Sequence, residues 1–368
     1  MQSLLDLFRG RLQHTVDGAE WTSLLNVAEE ENVLPWAAER LRSLDGQHTL
    51  EQKQRLNEIR REAQVSSFVW TETLKGIAAA FHQADLPMVS LKGPCLAERL
   101  YGDAALRTCY DLDLLVRQSD LARAERLLTD IGFLPDNDAD DYHRRWRRKA
   151  AILELHHNLE NPLAFDFDMD AIWARTLLSQ FQGVPIRLLG VSDEMLYLCF
   201  HAVRHRFERL CLILDLDLAF RLPRLPPVGV AEWSSPVFDN IFALGWMMAA
   251  CLDPEIAPEI PIPQAMRASP ADCSRLKRLA DRLWQELLLA PPKTLDWAAQ
   301  HRFYLELENP GRSRFLRRWR HRRILLTRLI DADFAFAGRF NLHRNWQVRL
   351  LRPIRLLMKR LRASSGTV

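Results

Sequence analysis

The sequence has no CxxC pair, no internal repeat, no low-complexity tract and no run of about eighteen uncharged apolar residues. Its six cysteines, Cys95, Cys109, Cys199, Cys211, Cys251 and Cys273, fall at unrelated spacings. That scatter excludes a zinc knuckle and a disulfide framework, and points to a reducing compartment, the cytoplasm. The missing apolar run excludes an ordinary membrane span. The opening "MQSLLDLFRGRLQHTV" carries acids and arginines too early for a signal peptide.

The composition is that of a globular chain able to bury a sizeable core: 48% of its 368 residues are hydrophobic, enough for two modest domains or one with helical additions. The net charge of +3 conceals an asymmetry. From Arg312 to Arg362 fifteen arginines and Lys359 face only Asp331 and Asp333, a balance of +14, so the remainder stands at −11. A basic end on an acidic body favours contact with phosphate-rich or acidic surfaces.

Residues 1 to about 85 carry apolar side chains at three-and-four spacing with charges between, the pattern of amphipathic helices. The period then shortens. "LPMVSL" is β-like, the stretch after Gly93 is helical, and "YDLDLLV" is a strand. "SDLARAERLLTDIGF" predicts a helix capped by Ser119 and ended by Gly132. A charged segment, "DNDADDYHRRWRRKA", leads into "AILELHHNL", which alternates like another strand. From about residue 186 the signals are helical, broken by proline-rich connectors at "RLPRLPPVG" and "DPEIAPEIPIPQ". The expected fold is α+β, a small mixed sheet between helical regions. Its predicted parts are an N-terminal helical region 1–85, an α/β core 86–180, a C-terminal helical region 181–311 and a basic helical tail 312–368.

Two acids inside the apolar strand are the first chemical signal. Side chains alternate along a strand, so Asp111 and Asp113 share a face while Leu112 and Leu114 enter the core. Carboxylates about 7 Å apart on one face repel each other unless a cation lies between them. Magnesium, a hard ion that takes oxygen ligands and often shares them with substrate phosphates, suits that pair. The turn just upstream fits the same chemistry. Gly93 allows close backbone approach, Pro94 is placed to open a helix, and free N–H groups at a helix start favour an anion. Lys92 and Arg107 add positive charge on either side. The expected phosphate contacts are Lys92, Gly93 and Arg107.

"LKGPCLAERLY…LRTCYDLDLLV" resembles the uncharacterised nucleotidyltransferase family of the DNA polymerase β-like superfamily, whose members read LKG, a helix ending in Tyr, an Arg, and two acids alternating with apolar residues. The likeness extends in weaker form through Gly132–Phe133, "LELHHNL" and "HAVRHRFERLCLILDLDLAF", about residues 20 to 220. It implies a minimal nucleotidyltransferase core, a glycine turn on the triphosphate and magnesium, in a two-metal site, on Asp111 and Asp113. Lys92-Gly93-Pro94 stands where the superfamily usually has Gly-Ser or Gly-Gly.

The third acid such enzymes use has two candidate positions. Glu154 shares a strand face with Ile152 and His156. Asp166, Asp168 and Asp170 also alternate, although the following "AIWARTLL" makes Asp170 a candidate helix cap. Glu154 is favoured. His201 and His205, four apart on one helical face, lack further ligands for zinc and are expected on the substrate side or in packing. The second DLD, Asp215 and Asp217, lies in a helical pattern, where residues two apart diverge, and Asp215 is expected to brace the core.

The expected activity is magnesium-dependent transfer of a nucleoside monophosphate from a nucleoside triphosphate to the hydroxyl of an acceptor: a protein, an RNA or a small molecule. Two rivals carry different chemistry. The same fold with an incomplete site would bind nucleotide or neutralise a partner, as an antitoxin does, and would lack a third acid near the pair. Alternatively the arginine tail, with Trp319 and Trp346, would lead binding to nucleic acid or an anionic surface.

Overall fold

The computed structural model describes residues 1–12, 16, 18–44, 48–139, 142–162, 165–222, 236–252 and 270–289, with isolated positions between 303 and 355. Apart from those positions, the arginine-rich tail lies outside the described residues, as do most of the two proline-rich connectors.

Four helices come first: α1 (Gln2–Phe8), α2 (Gly18–Glu30), α3 (Leu34–Arg42) and α4 (Leu50–Gln83). The start of α4 is set by a reciprocal cap: the Gln52 amide donates to the Thr49 hydroxyl at 3.2 Å, and the Thr49 amide donates to the Gln52 side chain at 2.9 Å. The mixed segment follows as β1 (Val89–Ser90), α5 (Pro94–Tyr101), β2 (Leu112–Leu115), α6 (Leu121–Asp130), β3 (Leu134–Ala139), β4 (His143–Arg148), β5 (Ala151–His156), α7 (Met169–Ala174), β6 (Leu177–Phe181) and β7 (Val184–Leu188). Then come α8 (Val191–Arg204), α9 (Leu210–Phe220), α10 (Pro236–Leu252) and α11 (Pro270–Leu289).

The protein is thus α+β, with a seven-stranded mixed sheet in the order β3, β4, β5, β2, β1, β7, β6. β2 pairs with β5 in parallel and with β1 antiparallel. Alternation sorts its side chains onto two faces. Leu112, Leu114, Leu153 and Leu155 pack with Leu74, Ile77 and Phe81 of α4 and with Leu128 of α6. Each fully buried leucine contributes about 1.5–3 kcal/mol, so this layer anchors β2 and β5 firmly. On the other face Leu115 joins a larger core built with α1 to α3 and α8 to α10. Between that core and the sheet lies the polar patch described below.

Four local expectations needed correction. Helix was expected from about residue 186, but Val184–Leu188 forms β7, paired to β6 and β1, and helix resumes only at Val191. The charged segment after Gly132 pairs as β3 and β4 rather than running as a connector. Its burial follows no simple alternation, because Trp146 enters one face of the sheet while His143 enters the other. The helix expected from Ser119 starts at Leu121, since Gln118–Asp120 forms a tight helical turn of its own. At its far end Gly132, at φ +87°, closes the helix as expected: its amide donates to Thr129 and that of Phe133 to Leu128. Asp168, not Asp170, caps α7, its carboxylate accepting from the Ala171 amide at 3.0 Å.

Gly93 joins β1 to α5 at φ +79° and ψ −153°, a region essentially closed to residues with a Cβ. A Cβ there would also lie 3.2 Å from the Leu112 side chain. Gly93→Ala is therefore expected to cost about 1–3 kcal/mol, read as a lower midpoint in urea unfolding. An unchanged midpoint would mean that the turn is relaxed.

Candidate active site

The turn and the acidic strand meet because β1 and β2 are neighbours. The Leu91 amide donates to the Asp113 carbonyl at 2.9 Å, which carries the pairing up to Lys92. Lys92 then turns its ammonium onto Asp113, Nζ to Oδ2 3.1 Å, with both side chains almost wholly buried. The second partner of Asp113 comes from β5. Register sets Asp113 opposite Glu154 and Leu115 opposite His156, so Asp113, Glu154 and His156 emerge on one face. His156 Nε2 lies 3.2 Å from Asp113 Oδ1 and 3.6 Å from Glu154 Oε2. Glu154 is met in turn by Arg145 at 3.3 Å and His143 at 3.8 Å, both from β4.

These charges push the carboxylates apart. Burial raises Asp113, but Lys92 and then His156 outweigh it and hold the group at about 2. Glu154 is likewise raised by burial and pulled far below the ordinary range, chiefly by His156 and His143. Asp111, one residue before β2, is pushed up to about 6 by burial and by the Asp113 charge. Burial keeps His201 far below its usual value, with Lys92 adding to the effect.

Asp111, Asp113, Lys92, Gly93, His201 and His205 share one cleft of about 240 Å³. His201 lies 3.3 Å from Lys92, and the ring of His205 packs edge-on to it at 4.8 Å between centroids. Glu154 lies on the sheet side, behind Asp113. The other candidate third acids point away: Asp166, Asp168 and Asp170 are exposed around the buried Phe165 and Phe167. Arg107 borders the cleft, but its guanidinium grips both oxygens of Asp215 through Nε at 2.9 and 3.0 Å and Nη2 at 2.8 Å, and Tyr101 donates to the same carboxylate at 2.7 Å. Asp215 thus ties α9 to the segment before β2. Asp217 turns elsewhere, to Arg221.

Among the described residues, Asp113, Glu154 and His156 form a group able to hold a metal ion, with ligand atoms within 4.8 Å of one another. Two hard carboxylates and an imidazole at that spacing suit a divalent cation. Sequence reasoning assigned no role to His156, although its place two residues after Glu154 was the available signal. His143 and Arg145 were missed too, because only strand pairing brings them in.

The pattern of the uncharacterised nucleotidyltransferases matches residues 17–225, more than half of the chain. The chain belongs to this family. A search of curated proteins returned no match. Among solved structures, an antigenic nucleotidyltransferase-like protein from Paracoccidioides brasiliensis is 14% identical, with a TM-score of 0.40 over 54% of this chain and 95% of that one. ANT(2")-Ia in complex with adenylyl-2"-tobramycin is 15% identical, with a TM-score of 0.35 over 48% of this chain and 95% of the other.

Two outcomes follow for stability. Arg107→Met leaves the Asp215 charge buried without its cation and is expected to cost about 3–5 kcal/mol in urea unfolding. A loss below about 1 kcal/mol would mean that water reaches the pair. Asp111→Asn should do the opposite. An unfolded aspartate titrates near about 3.9, whereas Asp111 in the folded chain titrates at about 6. Its ionisation therefore penalises folding increasingly as pH rises from about 4 to 6, and fully above that. The variant is expected to melt higher than the parent at pH 8 and equally at pH 3.5; a gain of the same size at both would refute the electrostatic cause.

Proposed function

We propose that this protein transfers a nucleoside monophosphate from a nucleoside triphosphate to an acceptor hydroxyl, with magnesium as the cation. The observation that carries the reading is the parallel register of β2 and β5, which sets Glu154 beside Asp113 and so supplies a third carboxylate behind the acidic pair. Binding without chemistry, the rival reading, called for that carboxylate to be absent.

Each side chain has a part in the proposed reaction. Asp113 and Glu154 would hold the cation, with Asp111 on the cleft side and His156 behind. Such an ion supplies charge neutralisation on the phosphate oxygens and on the departing pyrophosphate. Glu154, held strongly in its charged form, suits binding a cation better than taking up a proton. Lys92 places its ammonium at the inner end of the cleft, where a triphosphate would meet it, and Gly93 lets phosphate oxygens approach the backbone. His201, kept neutral, adds a polar partner beside Lys92 without further positive charge. Arg107 acts through Asp215, fixing the segment that carries Asp111, rather than by touching phosphate.

The test is incubation of the purified protein with each α-labelled triphosphate, magnesium and cell extract, followed by identification of the labelled product. Asp111→Asn, Asp113→Asn and Glu154→Gln are each expected to lower labelling at least about a hundredfold while the circular dichroism spectrum is retained. Full activity in the Asp111→Asn, Asp113→Asn double variant would show that the site is misassigned.

A further inference from the structure

The cleft changes character from one end to the other. Its inner end is closed by Lys92, Asp113 and His201, all charged or polar and largely withdrawn from water. At its mouth stand the partly exposed Asn32, Tyr110, Glu208 and Arg209. Tyr110 is the immediate neighbour of Asp111, yet its side chain is 60% exposed. Among the described residues no other ring packs against it. An aromatic left open to water gains little for the fold, since most of its apolar surface stays hydrated.

Tyr110 is nevertheless held in place. Its hydroxyl donates to Asn32 Oδ1 at 2.8 Å, and it stands two residues before β2. Asn32 is itself fixed in a left-handed turn, φ +58°, at the end of α2. A planar ring held by its hydroxyl, open on its surface and lining the same cleft as Lys92 is a prepared stacking platform. It would lose little conformational freedom on binding a flat partner.

Resting on the nucleotidyltransferase reading, we infer that Tyr110 stacks the base of the bound triphosphate, which lies with its phosphates toward Lys92 and its base at the mouth. Arg209, the residue before α9, lines the same cleft, its guanidinium donating to the Glu30 carbonyl. Recognition through a π-face is shared by all four bases, so selectivity among them is expected to be weak.

The experiment titrates the full chain, in magnesium, with each of the four triphosphates and with inorganic tripolyphosphate, which has no base. Tyr110→Ala is expected to weaken nucleoside triphosphates about 5- to 100-fold and to leave tripolyphosphate unchanged. Tyr110→Trp should bind nucleotides at least as well as the parent. Equal weakening of both ligand kinds, or no change in either, would overturn the stacking role while leaving nucleotide binding intact. Failure of the parent protein to bind any triphosphate would overturn the nucleotide reading, and the stacking role with it. Because the ring is mostly exposed, the alanine variant is expected to melt within a few degrees of the parent, which separates lost stacking from lost folding.

Discussion

A carboxylate buried in the middle of a sheet must either give up its charge or be surrounded by partners, and Asp113 is surrounded. Lys92 reaches one of its oxygens and His156 the other, at 3.1 and 3.2 Å. Stranding such a group without partners costs several kcal/mol, more than the burial of any single leucine beside it returns. Most of the local architecture follows from that requirement. β1 must end beside β2 so that Lys92 can point inward, and β5 must lie in register so that His156 arrives from the other side.

The same arrangement separates the three acids by environment. Asp113 and Glu154 sit within reach of cations and hold their charge strongly, whereas Asp111 faces the cleft and titrates near 6. One cleft thus carries an acid fixed in charge, on β2, and another just before that strand whose charge is expensive. That contrast gives the cleft an inner wall that keeps its charge and an outer one that is protonated below about pH 6. Arg107, Asp215 and Tyr101 hold this wall to α9, so the helical region and the sheet meet through a buried ion pair as well as through apolar packing.

Much of this was legible in the residues. The alternation of "DLDLLV" placed Leu112 and Leu114 in the core and the two acids together, because a strand repeats every second residue. Lys92, Gly93 and Pro94 announced a strand-to-helix turn by their conformational limits alone. The second DLD was separable from the first because its surroundings had helical spacing, and Asp215 and Asp217 do diverge to different arginines. The strands β3 and β4 were hidden by their charge: six residues with four arginines read as solvated chain until Trp146 and His143 find opposite faces.

The sequence by itself determined the elements near the site and the identity of the acids, since propensity and side-chain period act over a few neighbouring residues. Which groups meet was decided only by the tertiary structure. His156 and Glu154 approach Asp113 from forty or more positions away, and Asp215 claims Arg107 across more than a hundred. Those contacts depend on strand order, register and helix packing, which are properties of the whole chain's core and which no short stretch specifies.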